Sequence, residues 1–262
     1  MVTKLVAVDL DGTLLRSDET LSSTTIKAIR LCKKNGVIFV ITTSRSLPSL
    51  VQYADLLQPD AIISSGGARA WIGMNEVYRA CFSPEKADKY ISKCLTEPSV
   101  EYIRVTCENT DLTNNPSVPI GGIEYGHYEK TDFKRKIHEM VYKITIKSAN
   151  IDAVQRLFRD DDQCRLITSY AGKHFHKLAH CSATKERALA RVIDIMKINR
   201  EEILSFGDDT SDINMLSFSG IGVAMGNSPI AVKAVANTVC DTNDNDGVAR
   251  YLLEHFTFRT EA

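Results

Sequence analysis

The chain has 262 residues, 44% of them hydrophobic, with 32 Lys and Arg against 33 Asp and Glu and a net charge of −1. That length holds one large domain or one domain with a sizeable insertion, and the composition is that of an ordinary water-soluble globule. The charge balance lacks the basic excess of a general nucleic-acid binder, and no apolar run approaches the roughly 18 residues of a membrane span. The N-terminal segment runs straight into strand-like sequence, without the apolar region and cleavage site of a signal peptide. Seven scattered cysteines without a CxxC pair speak against a disulfide framework and structural zinc, so a reducing cytoplasm is the expected location.

Taken in chain order, residues 4–8 (KLVAV) form a short, unalternating apolar run, as expected of a strand buried on both faces. Residues 21–34 read as a helix, capped by Ser22 or Ser23 and stopped by Gly36. A second buried strand follows at 37–41, then a helix at 46–57 and a third strand at 61–63. The same grammar returns near the C-terminus, with helices at 183–196, 211–217 and 229–236 and strands at 203–206, 221–225 and 238–240. Such alternation predicts an α/β fold: a doubly wound, mainly parallel, Rossmann-like sheet with helices on both faces. The middle differs. Strands at 102–106, 142–147, 165–170 and 174–178 look half-exposed, with helices at 85–95 and 151–158 and an irregular loop at 114–126. The expected organisation is a core of residues 1–82 and 181–262 with an inserted α+β cap of residues 83–180.

In an open parallel sheet, ligands bind beyond the carboxyl ends of the strands. Those ends carry Asp9 and Asp11, then Thr43 and Ser44, then Ser65 and Gly66, and later Asp208, Asp209 and Asp212. Two carboxylates at i and i+2 repel one another unless they share a proton or a cation, and Mg²⁺ prefers oxygen ligands. A carboxylate beside such an ion can attack phosphorus, and its partner can donate and accept the proton. The plain alternative for any DxD is a turn closed by Asx hydrogen bonds. For Asp209 or Ser211 the plain alternative is helix capping, and for Lys185 a solvated helix lysine. His174, His176 and His180 lack an evident fourth ligand for zinc, and Cys181 lacks a clear activating neighbour.

In combination and in this order, the motifs resemble those of the haloacid dehalogenase-like superfamily, specifically its Cof-type phosphatases, whose large cap lies between the second and third motifs. DLDGTLL (9–15) matches the first motif, VITTSR (40–45) the second, TKERAL (184–189) the lysine motif and FGDDTSDINML (206–216) the fourth. GVAMGNSP (222–229) and NDNDGVA (243–249) are also typical of that branch. The resemblance implies that Asp9 is nucleophile and Mg²⁺ ligand. It implies that Asp11 is general acid/base and binds Mg²⁺ through its carbonyl, and that Asp208 completes the metal shell with Asp212 in support. Leu10, Thr43, Ser44, Lys185 and Ser211 are implied to hold the phosphate. The implied reaction is hydrolysis of a small phosphorylated metabolite, such as a sugar phosphate, pyridoxal phosphate or a flavin-related compound, through an aspartyl-phosphate. The alternative is a phosphomutase or phosphotransferase using the same intermediate. Ser44, Gly66, Ser182 and Ser211 depart from the family's usual Gly, Asn, Gly and Asn. Cap residues expected to set specificity include Asn114, Asn115, Glu124, Tyr125, His127, Tyr128 and Tyr170. Neither a nucleic-acid nor a membrane partner is expected, and the sequence is silent on oligomeric state.

Overall fold

The computed structural model describes residues 3–117, 123–124, 128–168 and 174–256. Tyr125, His127 and Tyr170 lie outside the described residues, and only the backbone of Glu124 is described. The chain divides into two compact units, one of residues 1–79 and 184–262 and the other of residues 80–183.

The strands, in chain order, are β1 (Leu5–Asp9), β2 (Ile38–Thr42), β3 (Ala61–Ser64), β4 (Arg69–Ile72) and β5 (Asn75–Arg79), then β6 (Val100–Cys107), β7 (Asp111–Thr113), β8 (Ile123–Glu124), β9 (Tyr128–Lys130), β10 (Val141–Ser148), β11 (Cys164–Thr168) and β12 (Phe175–His180), and finally β13 (Ile203–Gly207), β14 (Ile221–Ala224) and β15 (Thr238–Val239). The helices are α1 (Ser23–Lys34), α2 (Val51–Leu57), α3 (Pro84–Thr96), α4 (Ile151–Phe158), α5 (Lys185–Met196), α6 (Ile213–Phe218), α7 (Ile230–Lys233) and α8 (Gly247–His255).

The larger unit is built on an eight-stranded sheet in the order β15-β14-β13-β1-β2-β3-β4-β5. From β15 to β3 every pairing is parallel. All five residues of β1 are buried, because helices cover both faces. Val6 and Val8 point into one core with Ile29 of α1 and Leu252 of α8. Leu5 and Ala7 point into the other with Leu189 and Val192 of α5. Two buried faces explain the unalternating apolar run, and each buried Val or Leu contributes roughly 1.5–3 kcal/mol.

Local chemistry accounts for several departures from the sequence expectation. The expected helix at 46–57 is a 3₁₀ turn at Pro48–Leu50 followed by α2, with Pro48 at the first position of the turn, where its missing N–H leaves no bond unmade. Likewise the helix expected at 229–236 closes after Ile230–Lys233. The sequence reading also passed over β4 and β5, an antiparallel hairpin at the sheet edge, turned at Gly73 with φ +56°. Trp71 of that hairpin packs with Arg69 stacked 4.4 Å from its ring centre.

The smaller unit is a seven-stranded, mainly antiparallel sheet in the order β11-β12-β10-β6-β7-β9-β8, with α3 and α4 on one face. Ser83 and Asn150 cap those helices by accepting from Lys86 and Ala153. His176 is buried and its Nε2 lies 3.0 Å from the Ser148 carbonyl, while Nδ1 of His180 accepts from the Ser182 amide. Asn114 accepts from the Ile103 amide, which ties it to β6, and within the stretch expected as an irregular loop at 114–126 residues 123–124 instead form β8, paired with β9.

Candidate active site

Four strand ends and one helix N-terminus of the larger unit assemble the site. Asp9 ends β1 and is 5% exposed. Asp208 follows β13, and Asp212 closes the 3₁₀ turn Thr210–Asp212. Lys185 opens α5, capped by Thr184, which accepts from Arg187. One oxygen each of Asp9, Asp208 and Asp212 lies within 4.8 Å of the others. Residues 9 and 208, at opposite ends of the sequence, therefore meet.

The Lys185 ammonium sits inside this cluster, 2.5 Å from Asp9 Oδ1 and 2.6 Å from Asp212 Oδ1. Asp212 Oδ2 accepts from the amides of Asp208 and Asp209, which fixes the turn. Asp208 Oδ1 accepts from Thr13 at 3.0 Å. Gly12 has φ +78°, and a Cβ there would stand 2.3 Å from Asp208 Oδ2, so the loop after β1 needs glycine at that place. Gly67, with φ +91°, makes a similar approach to the Thr184 backbone and lets the 64–67 turn pack under the start of α5.

The two C-terminal motifs act as a scaffold for the loop after β1. Asn227 donates to the Gly12 carbonyl at 2.8 Å, and Asn243 donates to the Leu15 carbonyl at 2.9 Å. The Arg16 guanidinium grips Asp246 with both ends of its fork.

The electrostatics follow from burial. Asp9 is held well above the usual carboxylate range by desolvation, against the pull of Lys185 and with added repulsion from Asp212 and Asp208. Desolvation and then Asp212 push Asp208 up to about 6. For Lys185, burial works against the charge, but Asp212 and Asp9 outweigh it and raise the ammonium above its ordinary value. When all three carboxylates are ionised they leave two negative charges against the one ammonium, which one divalent cation balances. A hard, oxygen-preferring cation fits this donor set.

Lys185→Met, which keeps the stem and removes the charge, is expected to destabilise the metal-free protein by roughly 3–5 kcal/mol, because it strands buried carboxylates. Urea denaturation at neutral pH checks this; a loss under about 1 kcal/mol would mean that the ion pairs contribute little.

The remaining expected residues divide into two groups. Thr43 is fully buried; its amide donates to the Ile63 carbonyl at 2.8 Å and its hydroxyl accepts from the Arg45 amide at 3.0 Å. Leu10 is fully buried, and its carbonyl accepts from the amides of Thr13, Leu14 and Leu15. Ser44 and Ser211 are half-buried at their strand end and turn, and a Cβ on Gly66 would come 3.9 Å from Ser44 Oγ. Asp11 stands apart from the carboxylate cluster. It is exposed and paired with Arg45, whose Nε lies 2.9 Å from Oδ2. Glu19 lies 3.3 Å from the same guanidinium, and Tyr53 packs beneath it at 5.2 Å. Hydrogen bonding to Asp11 raises Arg45 above its ordinary value. Sequence reasoning included Arg45 in a motif but assigned it no contact.

Residues 6–252 match the family model described as haloacid dehalogenase-like hydrolase. The chain belongs to that family. As a haloacid dehalogenase-like hydrolase it is 28% identical to the 5-amino-6-(5-phospho-D-ribitylamino)uracil phosphatase YitU of Bacillus subtilis, over 97% of each chain. It is 26% identical to the pyridoxal phosphate phosphatase YbhA of Escherichia coli, over 97% of this chain and 99% of that one. Among solved structures, a haloacid dehalogenase-like hydrolase of B. subtilis superposes with a TM-score of 0.83 at 24% identity, covering 97% of this chain and all of that one. Among the described residues, no helix of this hydrolase is long and apolar enough to cross a membrane.

Proposed function

We propose that this hydrolase is a Mg²⁺-dependent phosphatase that cleaves small phosphorylated metabolites through an aspartyl-phosphate on Asp9. The observation that carries the reading is the buried Asp9 carboxylate, held by Lys185 at the end of β1 beside Asp208 and Asp212. The names of the relatives, which specify a flavin precursor and pyridoxal phosphate, support a small phosphomonoester as substrate.

An Asp9 carboxylate oxygen attacks phosphorus in line and the ester oxygen leaves. Asp11 donates its proton to the departing alkoxide. Water then attacks the acyl phosphate, with Asp11 taking the proton, so that phosphate leaves and Asp9 is restored. Lys185, Thr43, Ser44, the Leu10 amide and Ser211 are assigned to the phosphoryl oxygens. Asp9 and Asp208 are assigned to the cation with the Asp11 carbonyl, and Asp212 supports them. Mg²⁺ bound there would offset charge on the phosphoryl group as a Lewis acid. Substrate selection is assigned to the inserted cap, and location to the reducing cytoplasm.

Asp208 gives a readout separate from turnover. Its folded value of about 6 lies above its ordinary 3.8, so its proton adds stability that is complete below about pH 4 and lost as pH rises through about 6. In the metal-free Asp208→Asn protein that decline should be shallower than in wild type, and Mg²⁺ affinity should fall by about 10–100-fold or more. Parallel stability curves over that pH range and unchanged Mg²⁺ titrations would contradict both assignments.

A panel of small phosphomonoesters with Mg²⁺, scored for free phosphate, tests the function itself. Release of phosphate supports hydrolysis. An isomerised sugar phosphate without release would instead establish the mutase, and no reaction across the panel would overturn the proposal.

A further inference from the structure

Among the described residues, β11 pairs only with β12 and forms one edge of the seven-stranded sheet, whereas the opposite edge, β8, is two residues long. An edge strand presents a row of N–H and C=O groups that can pair with another chain, and proteins usually blunt such rows with proline, lysine or a bulge. The sequence of β11, CRLIT, holds neither proline nor lysine, and its pairing with β12 runs without a bulge from Cys164 to Thr168. Its one charged residue, Arg165, donates to the Ala183 carbonyl at 2.6 Å.

The register fixes which backbone groups point outward. The Cys181 amide donates to the Gln163 carbonyl at 2.9 Å, one step beyond the pair of Cys164 with His180. Bonded and non-bonded pairs alternate along an antiparallel ladder. Arg165 and Ile167 therefore turn their backbone groups toward β12, and Cys164, Leu166 and Thr168 turn theirs away from the sheet. The side chains of Cys164 and Leu166 pack on the core under α3 and α4. Beside them lies a cavity of about 250 Å³, lined also by Gln155 and Phe158 of α4 and by Arg159, which caps it. Asp152, Gln155 and Arg159 stand at i, i+3 and i+7, so they form one stripe along this flank. All three are exposed, and among the described residues neither Asp152 nor Arg159 forms an ion pair.

This flank is complementary to itself. A two-fold axis through Leu166 sets two copies of β11 antiparallel, with Leu166 opposite Leu166 and Cys164 opposite Thr168, all at outward-pointing positions. The same axis reverses α4, so that Gln155 meets its copy and Asp152 of each chain meets Arg159 of the other. An acid at one end of the stripe and a base at the other is the order that such a reversal requires, since like charges at both ends would repel. Leu166, half-buried in one chain, loses more water against its copy.

We propose that β11 and the exposed stripe of α4 dock a second copy of this chain, joining two seven-stranded sheets edge to edge in a two-fold dimer. The surface is one short strand and one helix stripe, so the dimer forms reversibly, with a Kd on the order of micromolar. Its formation does not depend on the chemistry at Asp9.

Sedimentation equilibrium of the intact protein from about 1 to 200 µM is the test. Wild type should pass from monomer to dimer across that range. Thr168→Pro removes an outward N–H and none that β12 uses, so the circular dichroism should stay that of wild type while dimerisation weakens by about tenfold or more. Arg159→Asp sets two acids together at both ends of the interface and should weaken it by about tenfold. Adding Asp152→Arg to that variant re-forms the pair with its ends exchanged and should restore the dimer. These charge changes lie on an exposed stripe and decide the matter if Thr168→Pro folds poorly. Wild-type protein that stays monomeric throughout, a dimer that neither folded single variant weakens, or a double variant as weak as Arg159→Asp would overturn the proposal.

Discussion

Asp9→Asn protein, assayed with Mg²⁺ and any phosphomonoester the wild type hydrolyses, is expected to show no turnover. An amide is too weak a nucleophile to open the covalent route, and it also removes a proposed cation ligand. The same substitution should leave the fold intact. Asp9 is a buried carboxylate held above its ordinary range, in a cluster with more negative charge than Lys185 balances. Neutralising it removes repulsion from Asp208 and Asp212 while the contact from Lys185 to Asp212 persists. The metal-free variant should therefore melt no lower than wild type at neutral pH. Wild-type turnover by pure Asp9→Asn protein would refute the assignment. Loss of activity together with collapse of the fold would show that Asp9 serves structure first.

Asp11→Asn should lower kcat by about 10²–10⁴-fold, the usual worth of a positioned general acid/base, or about 3–5 kcal/mol on the barrier. Asp11 is exposed and its side chain takes no part in the carboxylate cluster, so stability and Mg²⁺ affinity should scarcely change. The contact with Arg45 bears on the same experiment. It holds the Asp11 carboxylate between Arg45 and solvent, so Asp11 must exchange a charge-assisted pair for the leaving-group oxygen during the reaction. A substrate with a good leaving group needs less help from the acid. The penalty should therefore be smaller for p-nitrophenyl phosphate than for an alkyl phosphate. Equal penalties for the two, or none, would remove Asp11 from proton transfer.

Much of the larger unit was legible because its strands are buried on both faces. KLVAV and VIFVI leave no polar side to confuse with a helix, and they place β1 and β2 within one residue. The hairpin of β4 and β5 was harder. RAWI and NEVYR lie at a sheet edge and mix charge with apolar residues, which hides their strand character although Gly73 marks the turn between them. The meeting of Asp9 with Asp208 was suggested by motif order, since nothing local links residues so far apart. Other contacts could not be read at all. Arg45 reaches across 34 positions to Asp11, and only the fold determines where so long a side chain ends. The place of Asp212 among the carboxylates depends on the tight turn after β13, and the need for glycine at 67 depends on backbone from residue 184.

The most direct test is to acid-quench a single turnover and map the phosphoryl group by mass spectrometry. The tryptic peptide of residues 5–16 contains both Asp9 and Asp11, and fragmentation distinguishes them. The account predicts a transient, hydroxylamine-sensitive phosphoryl adduct on Asp9 that is absent from Asp9→Asn and persists longer in Asp11→Asn. Complete phosphate release with no adduct on that peptide at any quench time, or an adduct confined to another residue, would contradict it.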